Sequence, residues 1–91
     1  MIFCMIKLID FFATWCGPCR VMLPIVEEVV AELQGKIEFE KVDVDANSTR
    51  AQEFGVMSIP TFVILKDGVE ADRKMGIMPK PEFLAWIKSY L

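Results

Sequence analysis

Two thiols three positions apart, in the stretch Trp15-Cys16-Gly17-Pro18-Cys19, can close a disulfide across one turn of backbone. A reversible dithiol carries two electrons: a thiolate attacks a disulfide sulfur, a mixed disulfide forms, and the second thiol displaces the product. Such chemistry needs one thiol that ionises readily. An apolar run, Leu8-Ile9-Asp10-Phe11-Phe12-Ala13, leads into the pair, and a long amphipathic segment leads out from Arg20. The cysteines therefore lie where a strand hands over to a helix. Unpaired N–H groups and the macrodipole at a helix N-terminus favour an anion and lower the pKa of a thiol placed there. Gly17 permits the tight turn, and Pro18 in the first helical turn forfeits no hydrogen bond. The competing reading is half of a structural metal site. That site needs four ligands, and the chain has no His and only one further cysteine, Cys4. No metal is expected.

The elements that must hold the pair can be read outward from it. Residues from about Ile2 to Phe12 are near-continuously apolar, as in a strand buried on both faces. From Pro18 to Gln34, Val21, Ile25, Val29 and Leu33 form one i, i+4 column and Met22, Val26 and Val30 another. Glu27, Glu28, Glu32 and Gln34 take the opposite side, and Gly35 stops the helix. Pro24 removes one backbone bond and should kink it. Ile37 to Val44 reads as a second strand, and Asn47 or Ser48 caps a short helix ending near Gly55. Thr61 to Leu65 and Val69 to Met75 flank Asp67-Gly68, a strong hairpin signal. Pro81 opens a last helix whose apolar side is Phe83, Trp86, Ile87 and Tyr90. The order is β-α-β-α-β-β-α, an α/β fold with a parallel βαβ unit followed by an antiparallel pair. The cysteines then sit at the C-terminal end of the first strand, where open α/β sheets usually hold their active sites.

Length and composition bound the rest. Residues 1–91 suffice for a single domain. With 54% hydrophobic and 25% charged residues the chain is a packed globule. A net charge of −3 without a Lys/Arg cluster gives no footprint for nucleic acid. No stretch is long enough to span a bilayer, and the N-terminal apolar run lacks a small-residue cleavage site, so it reads as a strand of the mature fold. Three cysteines do not make a disulfide scaffold, which points to reducing cytosol. Cys4 lies on the order of 20 Å along the strand from Asp10, too far to join either other cysteine.

Further features converge on the pair. Asp10 interrupts an apolar strand, Lys41 interrupts the second, Ile59-Pro60-Thr61 places a proline before a strand where a cis bond fits, and Gly76 follows the hairpin. With Trp-Cys-Gly-Pro-Cys, these make the chain resemble the thioredoxin family from about Leu8 to the C-terminus. The resemblance implies a thioredoxin fold, a four-stranded mixed sheet flanked by three helices, and a protein-disulfide reductase without a bound cofactor. It implies that Cys16 is the exposed attacking thiol and Cys19 the buried resolving thiol. Asp10 corresponds to the carboxylate behind Cys19 and Lys41 to the lysine near it. Pro60 corresponds to the cis-proline facing the disulfide, and Pro24 to the helix-kinking one. Trp15, Gly17, Pro18, Ile59, Pro60, Gly76 and Ile77 would form a low apolar surface for substrate. The partners implied are disulfide-containing proteins and a reductase that recharges the pair.

Relative to the family, the chain is expected to lack the usual N-terminal strand and helix. With Asp10 and Lys41 adjacent on parallel strands, Lys7 and Glu38 should pair on the opposite face, beside Glu40. Charges there suggest adaptation to a natively short fold. The Ile37–Val44 strand becomes a sheet edge, where Glu38, Glu40, Lys41 and Asp43 oppose strand-to-strand association. A monomer is expected, with an edge dimer as the alternative. Competing functions are a glutaredoxin-like, glutathione-dependent enzyme and a binding module in which the thiols are incidental. Trp86 and the methionines read as core or surface filler, and Arg20 and Glu27 as a solvated helix face.

Overall fold

The computed structural model describes residues 5–91. Cys4 and the beginning of the apolar run at Ile2 lie outside the described residues. Seven elements follow the expected order: β1 (Ile6–Phe12), α1 (Gly17–Glu32), β2 (Ile37–Asp43), α2 (Ser48–Glu53), β3 (Thr61–Lys66), β4 (Val69–Met75) and α3 (Lys80–Lys88). They form one mixed four-stranded sheet in the order β2-β1-β3-β4. β1 runs parallel to β2 and antiparallel to β3, and β3 pairs antiparallel with β4. The β3–β4 turn needs two left-handed residues, and Asp67 (φ 54°) and Gly68 (φ 78°) supply them.

β1 is central, so both of its faces are covered, which explains its unbroken apolar run. On one face Ile6 and Leu8 join Phe62 and Ile64 against Met22, Val26 and Val29 of α1 and Phe83 and Ile87 of α3. On the other, Ile9, Phe11 and Val63 meet Val42 and Ala51, with Phe54 stacked obliquely on Phe11. Asp10 lies in register with Lys41 across the parallel ladder. The sheet thus brings one carboxylate into the strand that ends at the cysteines.

Several expectations need correction. α1 ends at Glu32, with Leu33 as its cap and Pro24 inside it, short of the expected end at Gln34. Val21 is exposed, because the buried stripe runs through Met22, Val26 and Val29 instead. Lys7 does face Glu38 in the backbone register, but its ammonium bonds Glu40 at 2.8 Å. The reason is a third group: Arg50 of α2 grips the Glu40 carboxylate through two nitrogens at 2.9 Å and holds it within reach of Lys7. Trp86 does lie in the core, and its Nε1–H also donates to Asp72 at 2.9 Å, as does the Tyr90 hydroxyl at 2.6 Å.

Candidate active site

Cys16 is the N-cap of α1, with extended backbone (φ −82°, ψ 116°), and its Sγ accepts the Cys19 N–H at 3.1 Å. The loop is tied by the Cys16 N–H to the Ala13 carbonyl and by the Arg20 N–H to the Cys16 carbonyl, each at 3.2 Å. Cys16 and Cys19 form a disulfide, their Cα atoms 5.2 Å apart. A thiolate at Cys16 would keep the Cys19 N–H bond and gain from the helix dipole, both of which favour the anion. The expected contrast between an exposed Cys16 and a buried Cys19 is not found: the residues are 4% and 9% exposed. In the closed pair, both cluster with Ala13, and Phe12, Val44 and Ile59 pack against that cluster. Position on the helix, rather than exposure, distinguishes them.

Behind the pair lies a cavity of about 280 Å³ lined by Asp10, Phe12, Cys19, Arg20, Leu23 and Lys41, among others. Cys19 borders it and Cys16 does not. Asp10 is buried, and its Oδ1 has no hydrogen-bond partner among the described residues. Burial pushes its pKa up from 3.8 to about 6, while the nearby charge of Lys41 pulls it back down. Lys41 makes no ion pair with Asp10. Its ammonium rests over the Phe12 ring, 4.7 Å from the centroid. Arg20, read from sequence as a solvated residue, donates from Nε and Nη2 to the Thr14 carbonyl at 3.1 and 2.9 Å. It thereby fastens the loop before Cys16 to the helix after Cys19.

In front of the pair, the Ile59–Pro60 peptide bond is cis, and the Ile59 carbonyl lies 3.9 Å from the Cys16 sulfur. The Gly76 N–H donates to the Pro60 carbonyl at 3.0 Å, bringing the end of β4 to the same place. Trp15, Gly17, Pro18 and Ile77 are exposed, and Ile59 and Gly76 are half-buried. Pro60 is itself buried, so it supports this surface from beneath instead of forming it.

Two participants escaped the sequence reading. Asp45 accepts the Trp15 Nε1–H at 2.7 Å and fixes the indole. Met57 stands almost fully exposed at an apolar groove of about 200 Å³ that it shares with Trp15 and Ile59. Neither has a spacing that marks it in the sequence. Among the described residues, no group of three or more His, Cys, Asp or Glu is placed to hold a metal ion. None of their helices is long and apolar enough to cross a membrane.

Comparison with known proteins agrees with this geometry. The sequence model of a family described as Thioredoxin matches residues 5–89. A thioredoxin of Staphylococcus haemolyticus (strain JCSC1435) is 43% identical over 86 residues, covering 94% of this chain and 83% of the relative. A thioredoxin of Staphylococcus aureus (strain Mu50 / ATCC 700699) is 42% identical over the same shares. Among solved structures, a mutant thioredoxin from Halobacterium salinarum NRC-1 superposes with a TM-score of 0.84. It is 35% identical, over 93% of this chain and 74% of its own.

Proposed function

The chain belongs to the thioredoxin family and is a thiol–disulfide oxidoreductase, and on that premise we propose how its residues divide the work. Cys16 is the nucleophile. As a thiolate it attacks a substrate disulfide, breaking that S–S bond and forming a mixed disulfide, while the first substrate sulfur leaves and takes a proton. Cys19 then gives its proton to Asp10 and attacks the Cys16 sulfur. The second substrate thiolate leaves, and the two electrons of the dithiol have passed to the substrate. The observation that carries this assignment is the cavity behind the pair, which an unpartnered carboxylate shares with Cys19. Lys41 tunes that carboxylate by its charge.

Trp15, Gly17, Pro18, Ile59, Gly76 and Ile77 form the substrate surface, supported by Pro60. An uncharged, shallow surface suits brief contact with many polypeptides. The substrates are disulfide-containing proteins, and a reductase returns the two electrons. Glutathione-dependent and purely binding functions give way to the family membership. The proposal also places the protein in the cytosol, where few cysteines and no disulfide scaffold are usual. It further holds the chain to be a monomer, since the β2 edge bears Glu38, Glu40, Lys41 and Asp43.

Redox titration against a glutathione or dithiothreitol couple tests the reading. A midpoint near about −270 mV, a value carried over from thioredoxins at large, is expected, whereas one near about −120 mV would mark an oxidant and contradict it.

A further inference from the structure

The described methionines fall into three groups. Met22 and Met78 are buried in the core, where the Met22 sulfur accepts the Met78 N–H at 3.4 Å. Met5 precedes β1, at the end of the strand remote from the cysteines, and is 41% exposed. Met57 and Met75 are the most open, at 95% and 59%, and both belong to the surface around the disulfide. Met57 borders the groove beside Trp15 and Ile59. Met75 ends β4 next to Gly76, and its sulfur accepts the Ser58 hydroxyl at 3.2 Å, so the two thioethers are joined through the loop that carries Ile59.

With Cys16 and Cys19 closed as a disulfide, these are, among the described residues, the accessible sulfurs beside the working face. We propose that Met57 and Met75 are oxidation sites through which a peroxide weakens protein-disulfide reduction without touching the cysteine pair. In the step, the thioether sulfur attacks the peroxide O–O bond. One oxygen becomes the sulfoxide and the other leaves as water, so methionine loses two electrons and the peroxide gains them. An adaptable apolar side chain turns into a strong hydrogen-bond acceptor. Docking of an apolar polypeptide must then bury that acceptor unpartnered. A small disulfide that reaches Cys16 without covering the rim escapes this cost. The change is reversible by methionine sulfoxide reductases. The inference rests on the proposed reading of the rim as the substrate surface.

The test starts from the disulfide form treated with hydrogen peroxide, cleared of oxidant and then reduced. Peptide mass spectrometry should find an added oxygen on Met57 and Met75 ahead of Met5, with Met22 and Met78 spared. The KM for insulin should rise about three- to tenfold, as one buried, unpartnered acceptor warrants. Reduction of dithiobis(nitrobenzoate) should keep its rate. A Met57→Leu/Met75→Leu variant, compared with its own untreated rate, should lose nothing to peroxide. An insulin KM unmoved by both sulfoxides overturns the inference, as does a double variant that remains equally sensitive. Untreated Ile77→Lys separates the two readings. If it leaves the insulin KM unchanged, the rim reading fails and takes the inference with it. If it raises the KM while the sulfoxides do not, the methionine inference alone fails.

Discussion

Asp10 and Lys41 are partners in the β1–β2 register, yet the lysine ammonium sits over Phe12 and leaves the Asp10 Oδ1 without a hydrogen bond among the described residues. A carboxylate in an apolar strand would ordinarily be neutralised by its cross-strand cation. Here the cation is close enough to act through space but is engaged by an aromatic face. The result is a carboxylate with a pKa of about 6, able to gain or lose a proton near neutrality.

That shift has a cost in stability. Asp10 is harder to ionise in the fold than in the unfolded chain, so folding is penalised wherever it carries charge. The penalty is absent below pH 3.8, grows between 3.8 and about 6, and is full above that. Asp10→Asn should therefore stabilise the disulfide form by roughly 2–3 kcal/mol at pH 7 and by little of that at pH 4. Urea denaturation of both proteins at the two pH values checks it; an equal difference at each would contradict the assigned pKa.

The same group should write itself into the kinetics. The proposed transfer of the Cys19 proton to Asp10 requires an ionised carboxylate, so insulin reduction should fall as pH drops through about 6. Asp10→Asn should lower kcat/KM on the order of tenfold or more and flatten that acid limb. Lys41→Met removes a charge that lowers the Asp10 pKa, so its acid limb should move to higher pH. Stopped-flow pH profiles of the three proteins distinguish this from a merely structural lysine, whose loss would scale the rate without moving the limb.

Cysteine variants assign the order of attack. Cys16→Ser should abolish insulin reduction, since the remaining Cys19 is not at the N-cap and lacks the Cys19 N–H bond that Cys16 accepts. Cys19→Ser should instead form a mixed disulfide with substrate and stall there, visible as a covalent adduct on a non-reducing gel. Adduct formation by Cys16→Ser and none by Cys19→Ser would reverse the roles.

Much of this site could be read in the chain because its signals are local or periodic. Cys16 and Cys19 declare themselves by spacing, the break at Asp10 by polarity in an apolar run, the hairpin by Asp67-Gly68. What the pattern could not convey is where long side chains end. Register fixes Lys7 opposite Glu38, but four flexible carbons let the ammonium choose Glu40, and that choice depends on Arg50 from another element. The burial of Cys16 is likewise a product of distant parts. Ile59 and Val44 pack against the cluster it forms with Ala13 and Cys19, and no spacing near residue 16 announces them. Asp72 holds Trp86 and Tyr90 across β4 and α3 for the same reason, a meeting of elements that sequence separates.

The Glu40 cluster offers a prediction of opposite sign to that of Asp10. Bonds from Arg50 hold the Glu40 carboxyl down at about 2, against burial and with help from Lys7. Its stabilising effect is complete above pH 4.5 and disappears as pH falls through about 2. Its side chain is about a quarter exposed (26%), so solvent screening reduces the contribution to on the order of 1 kcal/mol. Glu40→Gln should cost about that much at pH 7 and almost nothing near pH 2. Added salt should shrink the pH 7 difference, because both cations are only part-buried. Acid therefore relieves Asp10 first, between pH 6 and 4, and releases Glu40 only later. Denaturant midpoints of wild type and Glu40→Gln across that range should stay apart down to about pH 4.5 and then converge. Convergence already at pH 6 would show that Glu40 is not the group that Arg50 and Lys7 hold in its charged form.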